Sequence, residues 1–486
     1  MRRLVFLLAL ILIVSCEPKE EISHGDLKTV TATTTEAVFD APGGLAKIAF
    51  SITDETLILN TSTDSEDYQI WVENEEGYNP LFFHIEAINR IQKGDYEITL
   101  RDDNIAPLYS QNVKIGIAFG QIFYSQDINI HTANCDRVPV KTGLPLIYIN
   151  TDEQAEIVSK DDWVEATITI DDLTSDDVIV NSMPMSIKGR GNATWGYPKK
   201  PFTFKLSKKT SLFGMPAHKR WVLLANYIDR TLMRNIIGLK AASFTSLAWT
   251  PRYQPVEVIL NGTHIGSYLL TEQIRVNANR VDISEENGFL FELDQYYDNP
   301  VQWIDPHVIM RTKFGTEAGI PFAIKSPDED VITPELIDKA KQLIYDAAES
   351  TINGDLSMID VQSFADYWIV FELMGNTEIN NPSSVYMFVD EGGKLTAVPC
   401  WDFDWGTLSY RIHENEKTQI LNRYAIWYEW LMKNPEFVAV LQNRWTVLRP
   451  VFESLVPYFD EMKQTLHLSA QLDKAIWGES MLYLHK

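Results

Sequence analysis

The chain is poor in cysteine, in basic residues and in long apolar runs. Three cysteines in 486 residues exclude a disulfide-built scaffold, and Cys135 and Cys400 lie far apart with nothing in the sequence to pair them. Cys400 reads as a small apolar packing residue. No Cys/His spacing points to zinc, and the isolated His307 and His413 read as structural or surface residues. Lys and Arg number 42 against 67 Asp and Glu, for a net charge of −25. Such a balance argues against nucleic acid or an anionic lipid surface as the main partner, because either needs basic patches to displace counterions. What is present is ample apolar content, 45%, in a length that predicts two globular domains.

Arg2 and Arg3 precede the apolar run Leu4 to Val14, a secretory signal too short for a comfortable membrane span. The run ends in Ile13-Val14-Ser15-Cys16, which resembles the lipobox of bacterial lipoproteins and makes Cys16 the expected lipidation site. Residues 1–16 are therefore read as a lipoprotein signal peptide and 17–26, opening Glu17-Pro18-Lys19-Glu20-Glu21, as a polar tether. The expected location is the cell envelope, with membrane attachment through acyl chains at Cys16. The acidic run after Cys16 resembles surface-export signals of outer-membrane lipoproteins.

From residue 27 to 124 short alternating segments such as Ala46 to Ile52, Tyr96 to Leu100 and Val113 to Phe119 recur between polar turns. That spacing predicts an all-β, Ig-like sandwich serving as spacer or binding module. Residues 125–143 read as a linker and 144–486 as a second, α+β domain with a helical C-terminal part. Helices are expected at Arg230 to Leu247, Pro334 to Ser350 and Phe364 to Met374, and again over Trp427 to Met432, Pro435 to Trp445 and Val451 to Leu466. The many aromatics of the last three read as core ahead of a sugar platform. Asp229 reads as an N-cap.

The basic residues that the chain otherwise lacks gather at Ile187-Lys188-Gly189-Arg190-Gly191-Asn192 and Pro198-Lys199-Lys200-Pro201-Phe202-Thr203-Phe204-Lys205. Glycines on both sides of Arg190 permit close backbone approach to a ligand, and phosphate suits the cluster of Arg190, Lys200 and Lys205. The alternative is a Gly-rich hairpin with solvated lysines. Strand alternation puts Lys200 with Phe202 and Phe204 on an apolar face, where it needs an acidic partner. Glu272, at the end of the hairpin that turns at Asn261-Gly262, is the candidate; a surface Glu on an edge strand is the competing reading.

A second constellation lies near the C-terminal third. A strand from Ser384 to Val389, a turn at Asp390-Glu391-Gly392-Gly393 and a returning run to Cys400 predict a hairpin that delivers Asp402 and Asp404. If extended backbone continues, both carboxylates share one face and Trp401, Phe403 and Trp405 the other, a divalent-metal pair on an apolar anchor. The bland reading of Asp-x-Asp is a solvated surface turn. Upstream, Asn376, Glu378, Asn380 and Asn381 crowd a polar loop behind an apolar helix, the order protein kinases use to hold a catalytic carboxylate and metal ligands around ATP.

Together these motifs resemble the CotH kinase family over about residues 144 to 410. The resemblance implies a diverged protein-kinase-like domain, ATP with Mg or Mn, and metal-dependent transfer of the γ-phosphate to Ser or Thr of a protein acceptor. It assigns Glu378 and Asp402 as catalytic, Asp402 and Asp404 with Asn381 as metal ligands, and Arg190, Lys200, Lys205 and Glu272 as cofactor-binding. The alternative function is a catalytically silent surface lipoprotein whose domain is a scaffold for glycan or an envelope protein.

Overall fold

The computed structural model describes residues 142–477 except 172–178, 295–300, 312–316, 329, 381 and 408–419, and before residue 142 the backbone of ten strands between 20 and 131. The signal peptide, Cys16, Cys135, His413 and Asn381 lie outside the described residues.

The ten strands are β1 (Glu20–Ser23), β2 (Lys28–Val30), β3 (Thr34–Ala41), β4 (Gly44–Thr53), β5 (Thr56–Ser62), β6 (Tyr68–Asn74), β7 (His84–Gln92), β8 (Asp95–Arg101), β9 (Ser110–Phe119) and β10 (Ile122–His131). They form two five-stranded sheets, β1-β10-β9-β6 with β2 on β10, and β3-β4-β5-β8-β7. Extended backbone begins inside the segment read as tether and continues in β10 into the segment read as linker.

Seven further strands close into a barrel: β11 (Leu146–Thr151), β12 (Val164–Asp171), β13 (Val180–Gly189), β14 (Phe202–Leu212), β15 (Met215–Leu224), β16 (Tyr253–Leu260) and β17 (Thr263–Glu272), in the order β11-β12-β13-β14-β15-β17-β16. Alternation dictates the interior: Ala166, Ile168 and Ile170 of β12, Met185 and Ile187 of β13, and Phe204 and Leu206 of β14 are buried, while Lys205 between the last two is exposed. The turn from β16 to β17 is Asn261-Gly262 with both residues at positive φ, as a two-residue hairpin of this twist requires.

A separate sheet, β19-β20-β18-β21-β22, comprises β18 (Phe289–Leu293), β19 (Gln302–Arg311), β20 (Glu317–Ser326), β21 (Val385–Val389) and β22 (Thr396–Ala397). The helices are α1 (Arg234–Ser243), α2 (Pro334–Ile352), α3 (Val361–Leu373), α4 (Tyr428–Leu431), α5 (Pro435–Phe452), α6 (Leu455–Thr465) and α7 (His467–Trp477). Asp360 caps α3 by accepting from the Ser363 N–H at 2.7 Å. α3 is buried from Ser363 to Phe371, the mark of a helix enclosed on every side. Among the described residues no helix is long and apolar enough to cross a membrane.

Cα proximity divides the chain into two compact units: Met1–Tyr148 with Ile259–Gly266 and His467–Glu479, and Ile149–Val258 with Ser267–Leu466 and Ser480–Lys486. All residues of the site described next belong to the second unit. Helix α1 is shorter than the sequence predicts. The segment from Asp229 to Met233 is a turn with Leu232 at positive φ, so the helix begins at Arg234.

Candidate active site

The hairpin is present, but its returning strand is short. β22 pairs with β21 only through Thr396 and Ala397, Met387 facing Ala397 and Phe388 facing Thr396. Pro399 has no N–H for the ladder, and Asp402 adopts φ +63°, so the expected strict alternation of Asp402 and Asp404 with the tryptophans does not hold. A non-glycine residue held in the left-handed region is backbone strain of a kind that gathers at functional sites.

The acidic pair is nevertheless assembled, by burial of what lies between. The Phe403 ring packs tilted against Phe371 of α3 with centroids 5.4 Å apart and lies so close to α1 that a Cβ at Gly238 would overlap it. The Phe403 N–H donates to Asn235 Oδ1 at 2.8 Å, and Asn235 Nδ2 donates to Asn226 Oδ1 at 2.9 Å. Arg234 donates through Nη1 to the Asp404 carbonyl at 3.3 Å while its Nε lies 3.7 Å from Asp229 Oδ1. Asp229 is buried and accepts from the Thr231 and Arg234 N–H groups and from the Thr231 hydroxyl. It thus closes the turn ahead of α1, but because the helix begins later than the sequence predicts, the N-cap position falls to Met233, whose side chain makes no capping bond; the charge of Asp229 also reaches Asp404.

The electrostatics are those of a buried carboxylate cluster. Burial, then the charges of Asp402 and Asp229, hold the Asp404 carboxyl well above its usual range, and Asp402 is hydrogen-bonded to it. Glu378 is likewise raised, by burial first and then by Asp402 and Asp404. Glu378 itself is half-buried. The three carboxylates read from the sequence are therefore neighbours in space.

Asn376 is fully occupied elsewhere. Its Nδ2 donates to the Trp405 carbonyl and to Thr407 Oγ1 at 3.1 and 3.0 Å, and its Oδ1 accepts from the Glu378 N–H at 2.8 Å. It pins the Glu378 loop to the chain just beyond Asp404. Asn380 donates to Asn422 Oδ1 at 2.8 Å, and Asn422 in turn donates to Glu372 and to the Asn376 carbonyl.

The basic residues separate. Arg190 lies over the Trp401 ring, 5.8 Å from its centroid, one residue from Asp402. Its charge is also felt at Tyr386 of β21, whose hydroxyl donates to Glu292 Oε1 at 2.7 Å. Lys325 pairs with Glu292 at 3.1 Å. Lys200 donates from Nζ to the Trp195 carbonyl at 2.7 Å and sits over that ring, tying off its own turn. Lys199 is the buried lysine and donates to the Ser267 carbonyl. Lys205 is exposed and stands opposite Arg220 of β15. The expected Lys200–Glu272 pair is not formed. Glu272 is buried, and Arg252 grips it through Nη1 at 3.1 and 3.2 Å and through its N–H at 3.0 Å. Arg280 follows at 3.9 Å. Guanidinium forks match a carboxylate better than an ammonium does, and both arginines come from segments flanking the strand.

Among the described residues no group of three His, Cys, Asp or Glu side chains is arranged to hold a metal ion. The donor set present, the hydrogen-bonded carboxylates of Asp402 and Asp404, still suits Mg, which takes one or two carboxylates plus substrate phosphates and water. Asp402 and Asp404 are the residues that would hold it.

Sequence reasoning reads Asp229 as a cap alone, leaves open whether Arg234 and Asn235 reach the phosphate region, and misses Trp401 as a seat for Arg190 and the Tyr386–Glu292–Lys325 chain. The crossing of an acid loop with an Arg-Asn pair at the start of a helix was a signal available in Asp229 to Asn235.

No curated protein matches this chain closely enough to count as a relative. A solved structure described as "Anomalous substructure of Titin-A168169" aligns at 9% identity over 42% of this chain and 95% of that one, with a TM-score of 0.15, too low to bear on the fold. The family model described as "CotH kinase protein" matches residues 187–481, a span that runs from the Gly-rich turn through the carboxylate cluster and into the C-terminal helices, and the chain therefore belongs to the CotH kinase protein family.

Proposed function

We propose that the protein is a metal-dependent kinase of this family that transfers the γ-phosphoryl group of ATP to a Ser or Thr hydroxyl of a protein. The observation that carries the reading is the proximity of Glu378, Asp402 and Asp404, with Arg190 on the adjoining Trp401. Asp402 and Asp404 would hold the divalent ion, which when bound would supply charge neutralisation for the phosphate chain. In the transfer the bond from the γ-phosphorus to the ADP oxygen breaks and a bond to the acceptor oxygen forms. The acceptor proton passes to Glu378, whose raised proton affinity brings it nearer to working pH than an ordinary carboxyl. Arg190 faces the developing charge, and Asn376 keeps Glu378 in register with the acid pair.

The same reading takes the kinase-like domain as the catalytic part and the N-terminal sheets as a sandwich that serves as a spacer. The chain is held at the cell envelope through Cys16, in keeping with the apolar run Leu4 to Val14 ahead of it. The acceptor or another envelope protein has a surface to use on α5 and α6, where Val447 and Val456 are about two-thirds exposed, at 60% and 68%, beside the partly exposed Trp445 and Phe459.

Thermal unfolding with ATP and Mg or Mn tests the reading. A nucleotide at about a hundred times its dissociation constant adds about 2.7 kcal/mol to the stability of the wild-type protein. The shift requires the metal and disappears in Asp402→Ala. A metal-independent shift, or one retained in the variant, removes the acid pair from the reaction.

A further inference from the structure

One edge of the Arg230 guanidinium has no partner among the described residues. Its Nε and Nη2 atoms are buried and have no hydrogen-bond partner among the described residues. An arginine stays protonated in any protein environment, so proton loss does not relieve this burial. Its stated neighbour is an aromatic face: the guanidinium lies over Tyr227, 5.5 Å from the ring centroid, and Tyr227 stacks on Tyr197 at 5.4 Å. A ring quadrupole offsets part of the lost hydration of a cation but satisfies none of its N–H groups.

Two features locate this guanidinium beside the candidate active site. Arg230 follows Asp229, the buried acid whose charge reaches Asp404. The turn that leaves β13 also touches both places. At its start Arg190 covers Trp401, next to Asp402, and at its end Tyr197 covers Tyr227, next to Arg230. The turn thus spans from the acid pair to the unpartnered arginine.

The idle atoms also state a geometry. Nε and Nη2 form one edge of the guanidinium plane, and their parallel N–H bonds match two oxygens of a single tetrahedral or carboxylate anion. We propose that Arg230 is a binding residue for the phosphate chain of the donor, gripping one phosphoryl group through that edge. The inference rests on the phosphotransfer reading for the source of the phosphate, and only for that. Lys200, one of the phosphate contacts read from the sequence, has its ammonium on the Trp195 carbonyl, whereas the Nε and Nη2 edge of Arg230 has no partner among the described residues.

Isothermal titration of the full chain at low salt, with Mg present, tests this with three probes: ATP, inorganic tripolyphosphate and the tricarboxylate tricarballylate. Wild-type protein binds ATP and tripolyphosphate. Arg230→Met weakens both at least tenfold, and Arg230→Lys, which keeps the charge and loses the fork, falls between. The lysine variant also serves where the methionine variant does not fold. Tripolyphosphate bound in an Arg230-dependent way by a protein that ignores ATP supports the phosphate site and sinks the nucleotide reading. Unchanged tripolyphosphate affinity in Arg230→Met, binding of neither phosphate probe by the wild type, or tricarballylate bound as tightly with the same dependence overturns the proposal.

Discussion

Asp404 and Glu378 both hold protons more tightly in the folded chain than in an unfolded one, where carboxyls titrate near 3.8 and 4.5. For a raised carboxyl the folded state binds more protons, so stability falls with rising pH. The contribution is fully present below the ordinary values and is lost as pH climbs through the raised ones. In chelator, stability therefore declines as pH rises above about 4, the ordinary carboxyl range, and the unfolding midpoint falls with it. Magnesium flattens the decline, because its charge replaces the shared proton. Glu378→Gln removes part of the slope in chelator, and melts across pH with and without Mg read both effects. Cys400 is fully buried, its thiol pushed up by burial first, which keeps it inert beside so acidic a site.

At the scale of elements, the acid loop is positioned by helices and not by the hairpin that precedes it. The pleat predicts alternation through Asp404, yet the chain leaves the sheet after Ala397, and Phe403 becomes the anchor between α1 and α3. Gly238 exists to admit that ring. Gly238→Ala sits well within a helix and raises intrinsic propensity by about 1 kcal/mol, but overpacking against Phe403 costs about 1–3 kcal/mol, so the net is destabilising. Displacing Phe403 also moves both neighbouring aspartates. Chemical denaturation shows the first effect and loss of the metal-dependent nucleotide shift the second. A Gly238→Ala protein with wild-type nucleotide response would show that the aromatic wedge does not set the acid pair.

Across the whole molecule, charge pairs that join distant segments matter more than surface acidity. Asp366 of α3 receives Arg444 of α5 through Nε and Nη2 at 2.6 and 2.8 Å, and also the N–H and hydroxyl of Ser246 beyond α1. Asp366→Ala leaves a guanidinium without its partner and is expected to cost about 3–5 kcal/mol, measured by urea unfolding. A loss below about 1 kcal/mol would mean that water replaces the carboxylate at no penalty. Much of this organisation was legible beforehand. The Asn261-Gly262 turn, the helix opened by Pro334, the acid pair and the family motifs are local signals, and local backbone preference and short-range spacing are carried by the residues themselves. The choice of partner is not. Whether Glu272 meets Lys200 or Arg252, whether Asp229 only caps a helix or also lies beside Asp404, and whether Arg230 finds an acid depend on which strands close the barrel and which loops then meet. Those contacts join residues tens to hundreds of positions apart, and their geometry is decided by packing, so only the tertiary structure settles them.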